Sequence, residues 1–180
     1  MTRLLLLNGA PGVGKSTIAR RWAHDHPGTL VCDIDLLRTW VSGWRESFFD
    51  VGDHVRPAAQ ALIGGYLPSG DVVLPQLFAR AAELDAFAAV ATDAGADVAH
   101  VVLRDPLGGA AARFRRRCGD DPWHAEVVRL VEAAGGDAVI TGHAERLDAL
   151  VASRPGTLVV DSVEGDEDGT YAALVEALGR

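Results

Sequence analysis

A single lysine stands among the seventeen basic side chains of this 180-residue sequence. It sits in the run Gly9-Ala10-Pro11-Gly12-Val13-Gly14-Lys15-Ser16-Thr17, which has the form G-x-x-x-x-G-K-[ST]. Glycines at this spacing let successive backbone N–H groups turn inward around an anion without side-chain clash. A helix opening at Lys15 adds the positive end of its dipole. An ammonium head is a compact point charge, whereas a guanidinium is a wide planar fork. A chain that uses arginine everywhere else has kept lysine where the narrow head is needed. The run implies binding of ATP or GTP: the loop Gly9 to Thr17 cradles phosphates, Lys15 reaches the β and γ groups, and the Ser16 hydroxyl holds Mg2+.

A second group of residues follows at Asp33-Ile34-Asp35-Leu36-Leu37-Arg38. Phosphoryl transfer needs a carboxylate to accept the proton of the attacking hydroxyl while cations hold the phosphates. Asp35 and Arg38 share a face if the segment is helical, which would aim a base and a substrate-holding cation into one cleft. Either acid can instead cap the helix. Capping is assigned to Asp33 and the base role to Asp35.

The elements that must position these groups alternate. Apolar runs predict strands at Arg3–Asn8, Thr29–Cys32, Val72–Leu74, Asp97–Leu103 and Thr157–Val160. Helices are predicted at Lys15–His24, Leu36–Trp44, Pro57–Tyr66, Gln76–Ala91, Leu107–Arg117, Pro122–Ala134, Ala144–Ala152 and Thr170–Leu178. Such alternation predicts an α/β protein of the P-loop NTPase fold, a five-stranded parallel sheet of order 2-3-1-4-5 covered by helices on both faces. Ligands then bind beyond the carboxyl ends of the strands, where Asp33, Asp35, Gln76, Arg104 and Asp105 fall. The acidic loop Glu164 to Asp168 reads as a solvated turn. Residues 1–180 are expected to form one domain.

Composition excludes other classes. A net charge of -8 argues against a salt-driven duplex DNA binder. Cys32 and Cys118 make neither a disulfide framework nor a zinc site, and no segment has the apolar length of a membrane span or the cleavage pattern of a signal peptide, so a cytoplasmic location is expected. A guanine-reading N-K-x-D loop would need a second lysine. Motors, helicases and ring ATPases want a strand ending Asp-Glu, but strand three ends Leu74-Pro75-Gln76. Asp161, after strand five, reads as a loop cap rather than a magnesium partner. What remains is a small phosphotransferase.

On the phosphate loop, the Ala19-Arg20 pair, the Pro27-Gly28 break and Asp35-x-x-Arg38, the first forty positions resemble the kinase domain of phage-type polynucleotide 5′-kinases. More widely they are similar to small P-loop kinases such as chloramphenicol phosphotransferase and gluconate kinases. The resemblance implies that Asp35 is the general base and that Arg38 holds the acceptor's phosphate. The sequence departs from the family where Pro75-Gln76 replaces an acid near the metal; Gln76 can position a hydroxyl or water but supplies no charge. The acidic balance also fits a long polynucleotide poorly.

Small P-loop kinases close an arginine-bearing lid over the triphosphate, and Arg113-Phe114-Arg115-Arg116-Arg117 follows strand four, the expected place for one, within about residues 106–121. Arg113, Arg116 and Arg117 share a helical face and Arg115 points away; cations this dense call for an anion nearby. Arg113 and Arg117 are the first choices for nucleotide contact. The competing reading is a solvated basic helix paired with acids such as Asp120 and Asp121. Trp40, Trp44, Phe48 and Phe49 form a dense aromatic group. It reads either as an acceptor pocket that stacks a ring or as a stripe docking one helix on the core. The chemistry expected is ATP- and Mg2+-dependent phosphoryl transfer to a hydroxyl of a nucleoside, short oligonucleotide or small natural product. The rival is a nucleotide-binding regulatory protein or slow ATPase without an acceptor.

Overall fold

The computed structural model describes residues 1–116 and 122–179. Leu4 to Leu7 are completely or almost completely buried, because the strand that carries them, β1 (Arg3–Gly9), lies in the middle of the sheet and is covered on both faces. The other strands are β2 (Leu30–Val31), β3 (Val72–Pro75), β4 (Asp97–Arg104) and β5 (Leu158–Asp161). All pair in parallel in the order β2-β3-β1-β4-β5, as the alternating pattern predicts. Parallel strands put their carboxyl ends on one edge, so Gly9, Asp33, Gln76, Asp105 and Ser162 follow their strands onto the same side of the sheet.

Helices connect the strands: α1 (Lys15–Asp25), α2 (Ile34–Thr39), α3 (Phe48–Tyr66), α4 (Ala81–Asp93), α5 (Ala110–Arg116), α6 (Pro122–Ala133), α7 (Asp137–Ala152) and α8 (Glu167–Ala177). Trp22 of α1, Ile63 of α3, Phe87 of α4 and Leu174 of α8 are buried in one continuous apolar core with the leucines of β1. Among the described residues no helix is long and apolar enough to cross a membrane.

Several helices differ from the sequence expectation. The helix expected to reach Trp44 ends at Thr39, and residues 40–47 form turns. The next helix begins at Phe48 rather than Pro57: Val51, Val55, Ala59 and Ile63 recur every four residues and are all buried. That burial carries α3 through the internal proline, which forgoes one backbone hydrogen bond. The helix expected from Gln76 starts at Ala81 because buried Asn8 holds the intervening backbone extended. Asn8 Oδ1 accepts from the Phe78 N–H at 2.9 Å, and Nδ2 donates to the Phe78 carbonyl at 3.0 Å. At the other end of the chain, the acids read as a solvated turn partly belong to α8. Asp166 caps the helix by accepting from the Gly169 N–H, and Glu167 and Asp168 occupy its first turn, where the helix dipole favours negative charge.

Candidate active site

The phosphate loop is held from two sides. Asn8 Oδ1 accepts from the Gly9 N–H at 2.8 Å, and Ser162, beyond β5, donates its hydroxyl to the Val13 carbonyl at 2.8 Å. Gly12 has φ +86°, and a Cβ there would lie 2.1 Å from the Ala110 carbonyl oxygen, so only glycine lets the loop pass under the first turn of α5. Lys15 opens α1 behind Gly14, and its Nζ donates to the carbonyls of Gly9 at 2.8 Å and Ala10 at 3.0 Å. The ammonium thus lies across the mouth of the loop.

Asp33 does two jobs. Its Oδ1 caps α2 by accepting from the N–H groups of Asp35 and Leu36 at 3.1 and 3.3 Å, which is the assigned capping role. Its Oδ2 accepts from the Ser16 hydroxyl at 3.4 Å, a tie between the second strand and the loop that the sequence spacing did not reveal. Asp35 is half-buried and lines the same cleft as Lys15 and Ser16. Burial first, and then the neighbouring Asp33 charge, push its carboxyl up to about 6, against the opposing pull of Arg38, Lys15 and Arg56.

Arg38 is 8% exposed. Its guanidinium carbon lies 5.2 Å from the Phe48 ring centre and 5.3 Å from that of Trp123, within cation–π range. Gly52, buried in the interior of α3, makes this placement workable: a Cβ there would lie 2.8 Å from one terminal nitrogen of Arg38 and 2.9 Å from its central carbon. Glycine inside a helix costs about 1 kcal/mol relative to alanine, and here it clears the space for a buried cation. Gln76, at the end of β3, is also buried and lines the cleft. Its side-chain oxygen has no hydrogen-bond partner among the described residues.

The aromatic group divides. Because α2 stops at Thr39, Trp40 and Trp44 do not lie one turn apart on a single helix; Trp40 is 73% exposed, while Trp44 packs on the core and lies 5.7 Å from Trp123. Phe48 stacks on Trp123 at 5.0 Å with an interplanar angle of 15°. Phe48 and Trp123, with the exposed Phe49, line the cleft. Trp123, from α6, lies eighty-eight positions from Asp35, and no sequence spacing links the two.

The arginines of α5 are committed to carboxylates. Arg113 lies 3.2 Å from Asp105, both side chains being almost buried, and its guanidinium also reaches the Ser162 carbonyl at 3.4 and 3.5 Å. Arg116 pairs with Glu164 at 2.5 Å. Arg115 points away to Asp137 at 2.6 Å. The described partners are therefore Asp105, Glu164, Asp137 and, at 3.7 Å from Arg115, Glu132; Arg117, Asp120 and Asp121 lie outside the described residues. Arg113 and Arg116 still line the cleft beside the loop. Asp161, expected to cap a loop, instead pairs with Arg104, its register partner on β4, at 2.8 Å.

Two further residues come from α7, whose predicted start at Ala144 left one of them outside the helix. His143 and Arg146 line the cleft. Burial, with the positive charges of Arg146 and Lys15, holds the His143 imidazole below its ordinary value. Arg146 has no carboxylate within ion-pair distance among the described residues.

The cleft that collects these groups has a volume of about 1440 Å³. The residues suit the group that the motif implies. The loop offers inward amides and a lysine for phosphates, and Ser16 with Asp33 offers hard oxygen donors of the kind Mg2+ uses alongside phosphate oxygens and water.

Sheet order and loop together define a P-loop nucleotide-binding protein of the kinase type. The profile of the AAA_33 family, an AAA domain, matches residues 4–135, and the chain belongs to that family of P-loop kinases. Among solved structures it is similar to a gluconokinase from Sinorhizobium meliloti 1021, at 19% identity and a TM-score of 0.62 over 97% of this chain and 91% of that one. It is also similar to the Deinococcus radiodurans tunicamycin resistance protein, at 16% identity and a TM-score of 0.63 over 99% and 95% of the two chains. At these identities the likeness concerns the fold. No curated protein matches the sequence.

Proposed function

We propose that this protein is an ATP-dependent kinase that transfers the γ-phosphoryl group to a hydroxyl of an acceptor bound beside Asp35. The observation that carries this reading is the placement of Asp35: half-buried, in one cleft with Lys15 and Ser16, next to Arg38, with its carboxyl pushed up to about 6. A base with that value is still mostly ionised at neutral pH and accepts a proton more readily than an ordinary aspartate. A half-buried carboxylate beside a second acid, with no chemistry to perform, is a costly feature.

In this reading the amides of Gly9 to Gly14 bind the phosphates. Lys15 exchanges the Gly9 and Ala10 carbonyls for the β- and γ-phosphate oxygens and opposes the charge that develops on the transferring group. Mg2+, held through Ser16 with Asp33 behind it, would neutralise the phosphate oxygens. Asp35 takes the proton of the attacking hydroxyl, whose oxygen forms the new bond to phosphorus as ADP leaves. Arg38 orients the acceptor. Arg113, held ready by Asp105, and Arg117 belong to a lid over about residues 106–121, within a single domain spanning 1–180. A cytoplasmic setting suits such a kinase.

The neutral Gln76 at the position of the family's acid favours one rival, a regulatory nucleotide-binding protein or slow ATPase. Incubation with labelled ATP, Mg2+ and a panel of hydroxyl acceptors separates the two. Transfer to an acceptor that Asp35→Asn abolishes is the expected result. Transfer to water alone, indifferent to that substitution, would establish the rival.

A further inference from the structure

The charge and texture of the acceptor end narrow what can sit there. Asp35, Arg38, Asp53, Arg56, Arg80 and Glu83 all line it, three acids against three bases. Arg56 lies 3.2 Å from Asp53 and 3.8 Å from Glu83, and Arg80 lies 2.5 Å from Glu83, so these four side chains neutralise one another. Only Arg38 is left beside Asp35, and it has no carboxylate within ion-pair distance among the described residues. A polyanion gains affinity by meeting several uncompensated cations, and among these six side chains there is one.

The wall beside Arg38 is apolar along α6. Trp123, Val127 and Val131 recur every four residues on α6, are half-buried and line the cleft, and Phe48 of α3 continues the surface. Phe48 and Trp123 are stacked on each other, so no slot opens between them, and the Arg38 guanidinium lies over both rings. A polyol laid against that surface would give up water on hydroxyls that find no partner there, at a cost of about 1–3 kcal/mol for each one buried unpaired. An apolar body gains on the same surface by leaving water.

We propose that the acceptor is a small alcohol with an aromatic or other apolar body and at most one negative charge. Its body lies on the Trp123–Val127–Val131 face, and its hydroxyl reaches Asp35 beside Arg38. This deepens the kinase reading above and rests on it.

The test uses the full chain with labelled ATP, Mg2+ and four probes: phenylethanol, a phenyl glycoside, gluconate and a short oligonucleotide with a free 5′-hydroxyl. The aryl alcohols should exceed the other two in kcat/KM by at least roughly tenfold. Trp123→Ala should cut that preference about tenfold through the KM of the aryl probe, leaving the KM of ATP in place. Val127→Asn, away from the ring stack, should act in the same direction if Trp123→Ala does not fold. Preferred transfer to gluconate or to the oligonucleotide would overturn the proposal and leave the kinase reading intact. Calorimetric titration of the phenyl glycoside into the chain loaded with a non-hydrolysable ATP analogue separates the remaining outcomes. Binding that Trp123→Ala or Val127→Asn weakens, without phosphoryl transfer, supports the apolar site and sinks the kinase reading. Neither binding nor transfer of either aryl probe sinks the proposal itself.

Discussion

The two ends of the cleft are built in different ways. The phosphate end is one contiguous stretch, Gly9 to Thr17, whose work is done largely by main-chain amides and a single ammonium group. The proposed acceptor end is assembled from side chains of α2, α3, α4, α6 and the segment after β3, and no two of these elements are set by a common motif. A backbone site needs a local conformation, so residues a few positions apart suffice to build it. A side-chain site needs several elements to arrive together, and its members carry no signature until they do. The difference gives the two ends different expected vulnerabilities: the first to any change of loop shape or ammonium size, the second to changes far off in sequence.

Substitution at Lys15 is the most severe way to probe that contrast. Lys15→Arg keeps the charge but brings a broad fork into a loop shaped for a narrow head, and turnover of labelled ATP should fall by roughly 10³-fold. Normal turnover would mean that charge alone matters there. Next comes Asp35→Asn, with an expected loss of roughly 10²–10⁴-fold in transfer to the acceptor. In the wild type, transfer should decline as pH falls through about 6, where Asp35 takes up its proton; a profile flat across that range would remove Asp35 as base.

The same carboxyl makes a stability prediction of opposite sense. Its value in the folded protein lies above the ordinary aspartate value of 3.8, so folding favours its protonated form. Its contribution is favourable below about pH 4 and is lost as pH rises through about 6. Asp35→Asn should therefore stabilise the fold at neutral pH by on the order of 2 kcal/mol, a rise in thermal midpoint read by calorimetry.

Gly52→Ala tests the assembled end from a distance. The new methyl overlaps the Arg38 guanidinium, so the acceptor KM should rise about tenfold while the KM of ATP holds. The apparent value of Asp35 should climb as its cation withdraws. If neither moves, the glycine is only a packing residue. The smallest effect belongs to Trp40→Ser: with the ring 73% exposed, stability should change by less than about 0.5 kcal/mol, and a larger loss would return Trp40 to the core stripe.

Much of the phosphate end was legible from residue order, because motif, preceding strand and following helix are all local. The five strands and their order were legible too, since parallel strands joined by helices leave few arrangements. Trp123, Gly52, His143 and Arg146 were not. Their roles depend on where α3, α6 and α7 pack, and Gly52 in particular reads as a weak helix residue until Arg38 is seen filling its missing side chain. The arginine run after β4 was legible as a basic face. Its partners were not, because Asp105 and Glu164 reach it by folding rather than by helical spacing. Nor could residue order alone show that Asn8 would hold residues 76–80 out of the helix.

By itself the sequence determined the chemistry of the cradle and the alternation that builds the sheet, because both arise from hydrogen bonding and burial patterns within a few residues. Tertiary structure alone decided how deep Asp35 sits, which cation accompanies it and what surface faces it. Each of those depends on water being excluded by elements from distant parts of the chain, and desolvation has no representation in residue order.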